Sequence, residues 1–210
     1  MAEANVTQSI KRTEDPRLLT GNATYLDDIN LPGMLHDAIK RSDFAHGRIT
    51  KLDVSAAKAL PGVVAVYTAE DLGEYWKPGP LQVPPPSVIK GAIFHARPLE
   101  CIAKNKVRFS GEPVAVVVAE SRYIAEDALE LIELEIENLP YVGDLEKALE
   151  PDATLIHEDM QSNLAADVIQ EAGSWDAAVA AADVVVKRRL LVNRVAGGFL
   201  ETRGFIAQWD

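Results

Sequence analysis

Residues 108–140 read RFSGEPVAVVVAESRYIAEDALELIELEIENLP, and this stretch decides the fold. Gly111 opens it with a turn for which we predict a positive φ, and the apolar run over 113–118 is typical of a strand buried on both faces. Ser121 is placed to cap the helix that follows, whose apolar residues recur at helical spacing. Apolar residues then alternate with glutamate over 132–137, which predicts a strand with one buried face. The stretch therefore predicts a strand–helix–strand unit.

Further strands and a short helix are predicted upstream of this unit. The patterns indicate strands over residues 33–40, 48–52 and 63–68, and a helix over 54–60 that Asp53 caps. Strands and helices thus alternate, with hairpin-like pieces at the start. This order is typical of a compact α/β or α+β domain.

Changes in composition divide the chain into four parts. Residues 1–10 are polar and predicted to be flexible, and residues 11–150 form the α/β domain. A polar, proline-containing segment over 151–163 is predicted to be a linker. Residues 164–210 follow it as a separate section.

The last section contains few elements. Ser174 is placed to cap a helix over 175–182, and alternation predicts a strand over 184–193 and a second strand over 204–209. Two strands and a helix cannot bury a core by themselves. We therefore predict that residues 164–210 are the incomplete start of a larger domain.

Composition excludes some classes of function. The net charge of −11 and the isoelectric point near 4.8 argue against nucleic-acid binding, because little here would neutralise phosphates. No stretch has the length of a membrane span, and the N-terminus has no signal-peptide core. Cys101 is the single cysteine, so no internal disulfide forms and a cytoplasmic location is expected.

The residues that bind metals or perform catalysis in other proteins form no recognisable motif here. The four histidines are scattered without zinc-site spacing, and His46 is expected to donate a structural hydrogen bond at a turn. Cys101 has no CxxC partner to hold an iron–sulfur cluster. Asp27 and Asp28 are expected to be solvated or capping. The sequence thus predicts no catalytic, cofactor-binding or metal-ligating residue in this chain.

Four segments carry a family resemblance. They are EDPRLLTGNATYLDDINLPGMLHDAIKRSDFAHGRI at 14–49, LDVSAAKALPGVVAVYTAEDL at 52–72, GEPVAVVVAESRYIAEDALELIELEIENLP at 111–140 and FLETRGFIAQWD at 199–210. In this order they resemble the molybdenum-binding large subunit of the xanthine dehydrogenase, aldehyde oxidase and carbon monoxide dehydrogenase family. The resemblance covers about residues 11–210.

The resemblance implies a fold and an activity. Residues 11–150 would be an α/β hammerhead domain, and residues 164–210 the beginning of a molybdopterin-binding domain. The complete enzyme would insert water-derived oxygen into a C–H, aldehyde or carbon monoxide substrate. It would carry molybdenum–molybdopterin, in a cytosine dinucleotide form in some members, with iron–sulfur clusters and FAD on partner subunits or domains. The isolated chain would bind none of these and be inactive.

The resemblance also suggests roles for a few side chains. Phe94 and His95 lie in the proline-rich loop over 76–98, which in the family passes near the funnel to the molybdenum centre. They are therefore candidates for lining it, and the alternative is a surface loop with Phe94 tucked into the core. Glu201 and Arg203 resemble the family's Glu-x-Arg pair, with threonine in place of the common proline. We interpret them as an ion pair that makes an interdomain contact.

A second class of function stays open at this point. The chain can be a separate, non-catalytic small subunit or scaffold module that assembles with a cofactor-bearing partner. A reading frame that continues into the rest of the molybdopterin domain would favour the oxidoreductase instead.

Overall fold

The structure is a computed structural model, and it describes residues 11–77, 93–95, 99–169 and 172–210. The predicted flexible segment over 1–10 and most of the proline-rich loop lie outside the described residues. The helices are α1 (Asp15–Leu19), α2 (Ser55–Ala59), α3 (Arg122–Glu130) and α4 (Trp175–Ala181). The strands are β1 (His36–Arg41), β2 (Gly47–Asp53), β3 (Val63–Tyr67), β4 (Ile93–Phe94), β5 (Lys106–Val107), β6 (Pro113–Ala119), β7 (Glu133–Asn138) and β8 (Ala166–Asp167). Single 3-10 turns occur at Leu26–Asp28, Gly73–Tyr75 and Lys147–Leu149.

Strand β6 is the centre of a three-stranded antiparallel sheet in the order β1-β6-β3. Ala119 pairs with His36 of β1 on one side and with Val63 of β3 on the other. Val114 and Val117 are fully buried, as expected for a strand covered on both faces. The apolar run after Gly111 therefore forms the strand that the sequence predicts.

Strand β7 belongs to a different sheet from β6. It pairs with β2, which also pairs with the short β5, and all three are antiparallel. Leu134 and Ile136 are partly buried while the glutamates between them are exposed, so β7 has the predicted single buried face. Helix α3 thus connects two sheets rather than two neighbouring strands of one sheet.

Helix α3 packs through small side chains. Ser121 is its N-cap, and the serine hydroxyl accepts a hydrogen bond from the backbone N–H of Ile124 at 3.3 Å. Ala125 and Ala128 are fully buried in a core that also holds Ala115 of β6. Alanine on both facing surfaces lets the helix approach the sheet closely, and this core is the larger of two clusters.

The smaller core cluster supports the second sheet. It consists of Ala103, Val107 and Val114, with Ile49, Leu134 and Ile136 packed against it. Because β6 contributes to both clusters, one strand ties the two sheets together.

The chain divides into two compact units. One takes in Met1–Met34, described from residue 11 onward, together with Val186–Asp210, and the other is Leu35–Val185. The described strands all lie in the second unit, and the first contains α1 and the turn Leu26–Asp28. The predicted domain boundaries, with a domain over 11–150, remain a prediction.

The segment predicted to be a linker, 151–163, is held by the side chain of Asn163. Its Oδ1 accepts the backbone N–H of Ile156 at 3.0 Å, and its Nδ2 donates to the carbonyls of Ala148 at 3.1 Å and Thr154 at 2.9 Å. These bonds tie the segment back to the residues before it.

The prediction of two strands after α4 is wrong. Residues 183–210 contain no helix or strand, and their side chains are exposed, although the alternation over 184–193 is typical of a strand. A strand needs a neighbour to pair its backbone N–H and C=O groups. No described strand pairs with this segment, so its alternating residues do not form a hydrogen-bonded strand. The predicted helix before it forms as α4, with Ser174 as N-cap but without a side-chain capping bond.

Candidate functional site

The two candidate funnel residues lie on a two-stranded ribbon. Phe94 pairs with Ala166 where β4 runs antiparallel to β8, and the backbone N–H of His95 donates to the carbonyl of Ala165 at 2.9 Å. The Phe94 side chain is partly buried, whereas His95 is exposed. The structure thus fixes the backbone around both residues, and their role in a funnel stays a prediction.

Backbone hydrogen bonds fasten the turn at Gly111 to the end of β1. Gly111 has a φ of +90°, in the region that glycine adopts freely. Its N–H donates to the carbonyl of Ser42 at 2.7 Å, and its own carbonyl accepts from Nη1 of Arg41 at 2.9 Å. The carbonyl of Glu112 accepts the N–H of Ser42 at 2.9 Å. These bonds fix the starting position of β6.

Glu112 is buried, with 2% of its surface exposed, although a glutamate beside a surface turn is usually exposed. Its carboxylate accepts the backbone N–H of Arg108, which partly replaces the lost water. Burial raises the pKa of Glu112, and the N–H and positive charge of Arg108 oppose the rise. Glutamate is rarely buried without a partner, and nothing in the local sequence shows that the Arg108 backbone supplies one.

Glu112 belongs to a small charged group beneath this turn. Arg108 lies 3.6 Å from Glu100, measured from Nη1 to Oε2, and both side chains are largely buried. The negative charge of Glu100 adds to the raised pKa of Glu112. Arg108 therefore contacts two carboxylates, Glu100 through its guanidinium group and Glu112 through its backbone N–H. These contacts position the turn.

His46 occupies a buried structural position. It is 3% exposed, and its Nδ1 lies 2.6 Å from the carbonyl of Pro140. A carbonyl only accepts, so Nδ1 is the donor, which confirms the expected structural hydrogen bond. The carbonyl of His46 accepts the N–H of Leu139 at 3.0 Å. His46 thus joins the start of β2 to the end of β7.

Lys106 and Glu158 form a second structural pair. Lys106 is almost fully buried, and its ammonium group donates to the exposed carboxylate of Glu158. This hydrogen bond and the positive charge of Lys106 lower the pKa of Glu158. The pair fixes the segment around 158 to β5.

Glu201 contacts the backbone of Leu26 rather than Arg203. Its carboxylate accepts the N–H of Leu26, and no ion pair with Arg203 forms. The interpretation as a Glu201–Arg203 ion pair is therefore wrong, because the carboxylate finds a backbone donor that is distant in sequence. Whether either residue makes an interdomain contact remains a prediction.

Within residues 11–77, 93–95, 99–169 and 172–210, no three His, Cys, Asp or Glu side chains cluster in a way that could hold a metal ion. The same residues include no helix with the length and apolarity to cross a membrane. The described charged and polar groups named above make positioning contacts.

Comparison with known proteins identifies the class to which this arrangement belongs. The family model described as aldehyde oxidase and xanthine dehydrogenase, a/b hammerhead domain, matches residues 20–140. The chain belongs to this family. The match includes both three-stranded sheets and α3, so the fold is the hammerhead domain that the resemblance implies.

Relatives with known names show which proteins carry such a segment. The carbon monoxide dehydrogenase large chain of Afipia carboxidovorans is 40% identical over 95% of this chain and 25% of its own length. The nicotine 6-hydroxylase large subunit of Paenarthrobacter nicotinovorans is 39% identical over 96% of this chain and 24% of its own length. The chain thus spans about a quarter of the relatives it matches.

Solved structures agree with the sequence relatives. Quinoline 2-oxidoreductase from Pseudomonas putida 86 has a TM-score of 0.63 at 43% identity, over 75% of this chain and 19% of that one. A Cu,Mo-CO dehydrogenase has a TM-score of 0.57 at 42% identity, over 74% and 18%. The similarity therefore extends from sequence to backbone.

Proposed function

We propose that this chain is the N-terminal part of the large, molybdenum-cofactor-binding subunit of a molybdenum hydroxylase. The observation that carries the proposal is the similarity to the carbon monoxide dehydrogenase large chain. The similarity covers 95% of this chain and 25% of that protein. The proposed activity is insertion of water-derived oxygen into a C–H, aldehyde or carbon monoxide substrate. The relatives act on chemically different molecules, so the shared fold does not select among these substrates.

The part proposed for this chain is scaffolding. Its described side chains fasten turns and sheets together, through Glu112, Arg108, His46 and Lys106, and form no metal-binding cluster. We therefore assign the ligands of a molybdenum–molybdopterin cofactor, including a cytosine dinucleotide form, to the remainder of the subunit. Iron–sulfur clusters and FAD would lie on partner subunits or domains, and the complete enzyme would be cytoplasmic.

Phe94 and His95 are the side chains of this chain that we propose to face the substrate funnel. The β4–β8 ribbon supports this role because it fixes their backbone next to residues 165–167. His95 is exposed and Phe94 is partly buried, so the segment supplies one polar and one apolar side chain for contact with a small substrate. The segment over 164–210 is proposed to begin the cofactor domain.

Affinity purification from the source cells tests this proposal against a separate scaffold subunit. With a tag on the native reading frame, we expect a polypeptide longer than 210 residues, or tightly bound partners that supply the rest of it. The purified material should show flavin and iron–sulfur absorption. Recovery of the 210-residue chain with partners that carry no cofactor would support the scaffold alternative and contradict the proposal.

A further inference from the structure

Two residues of the C-terminal segment contact the same turn near the N-terminus. The turn, called here the 25–28 turn, consists of the 3-10 helix Leu26–Asp28 with Tyr25 as its N-cap. Asp28 already accepts the N–H of Tyr25 at 2.9 Å, within the turn. The next N–H, that of Leu26, donates to the carboxylate of Glu201, which lies 175 positions further along the chain. The first two backbone N–H groups of the turn are thus both paired.

Gly204 supplies the second contact. A Cβ at this position would lie 2.1 Å from Cδ2 of Leu26 and 3.6 Å from its Cγ. The φ of Gly204 is not positive, so the backbone itself does not require glycine. The absence of a side chain leaves the space that Leu26 occupies. The carboxylate and the glycine therefore act on the same residue, one on its backbone and the other on its side chain.

We propose that Glu201 and Gly204 together form a docking site for the 25–28 turn. In this role Glu201 is a positioning residue, since its carboxylate binds a backbone N–H and fixes the course of the segment around 201. Both contacts lie within one compact unit, which joins Met1–Met34 to Val186–Asp210. Neither contact involves a bound cofactor.

Hydrogen exchange on the full chain tests the carboxylate. Loss of a capping acceptor costs about 1 kcal/mol, so Glu201→Ala should speed exchange of the Leu26 amide by about fivefold. Glu201→Gln, which keeps an oxygen acceptor, should have a smaller effect. Amides of β6 should exchange as before in both variants, and Asp210→Asn, which removes a charge from the same unit, should leave Leu26 unaffected.

A double substitution tests the glycine. Gly204→Ala should also speed exchange of the Leu26 amide, because the new methyl group meets the Leu26 side chain. In a Leu26→Ala background, Gly204→Ala should add nothing further, because the clash is gone. Unchanged exchange at Leu26 in both Glu201→Ala and Gly204→Ala would overturn the proposal. Equal effects of Gly204→Ala with and without Leu26 would also overturn it.

Discussion

Glu112 brings a carboxyl group into the interior directly after the left-handed turn at Gly111. Its pKa is raised by burial, so the native state holds the proton more tightly than the unfolded state, whose value is the ordinary 4.5. The resulting stabilisation is fully present below that value. It is lost as the pH rises through the higher pKa of the folded state.

We expect Glu112→Gln to remove this part of the pH dependence. Glutamine keeps an oxygen for the Arg108 N–H and carries no charge, so stability at neutral pH should change by no more than about 1 kcal/mol. Urea unfolding from acidic to neutral pH measures both effects. Glu130→Gln on the exposed surface of α3 is the control, and its pH profile should follow that of the unsubstituted chain. An equally steep loss of stability in Glu112→Gln would contradict the prediction.

Gly111→Val is expected to destabilise the chain by about 1–3 kcal/mol through backbone strain alone. Apart from the two neighbouring residues, no atom lies within 4 Å of the position a Cβ would take, so the Cβ itself meets open space. Gly198 also has open space but no positive φ, and Gly198→Val should therefore be nearly neutral. Equal shifts of the two variants in thermal melts would show that φ at Gly111 does not matter.

At the level of single residues, the sequence predicts some features and not others. The need for glycine at 111 follows from its place before an apolar run. The burial of Glu112 depends on the Arg108 backbone, and the partner of Glu201 is 175 residues away. The first contact spans only four residues but has no sequence motif, and the second joins residues too far apart for any local pattern to indicate it.

Among the secondary structure elements, two serines at helix N-caps differ in one hydrogen bond. The Ser121 hydroxyl accepts the N–H of Ile124, whereas Ser174 makes no side-chain capping bond in α4. We expect Ser121→Ala to lower the free energy of unfolding by about 1 kcal/mol and Ser174→Ala to lower it by clearly less. Chemical denaturation of both variants measures this difference. An equal loss would mean that the capping bond of α3 contributes nothing.

Elements with a strong local period were predictable, whereas their pairing was not. Strands β6 and β7 lie within one residue of their predicted bounds, and helix α3 begins directly after Ser121, its predicted N-cap, because burial sets the period of each. Their membership of two different sheets depends on β1, β2 and β3, which are distant in sequence. The segment over 184–193 has the alternation typical of a strand but no described partner strand, and its backbone is irregular.

For the whole molecule, the described residues 11–34 and 186–210 form one compact unit, and residues 35–185 form the other, which holds most of the hammerhead match over 20–140. The predicted boundary at 151–163 is bridged by Asn163, which ties this segment to residue 148. A fragment that ends near residue 150 would lose these bonds. We therefore expect the shortest stable fragment to extend at least to Asn163.

Limited trypsin digestion tests this organisation. The basic residues Lys187, Arg188 and Arg194 lie in exposed, irregular chain and should be cut first. Sites in β2 should resist cleavage, because Arg48 pairs with both β5 and β7 and Lys51 pairs with β7. Mass spectrometry of the first fragments gives the order. Early cuts within 108–140, with the region after 186 intact, would contradict both the domain division and the fold.

The assignment to a molybdenum hydroxylase subunit meets its most direct test in metal and pterin analysis. The isolated 210-residue chain and the complete native assembly should be measured side by side, by elemental analysis and by pterin fluorescence after oxidation. We predict stoichiometric molybdenum and pterin in the assembly and neither in the isolated chain. Stoichiometric molybdenum on the isolated chain, or an assembly without molybdenum, would contradict the assignment.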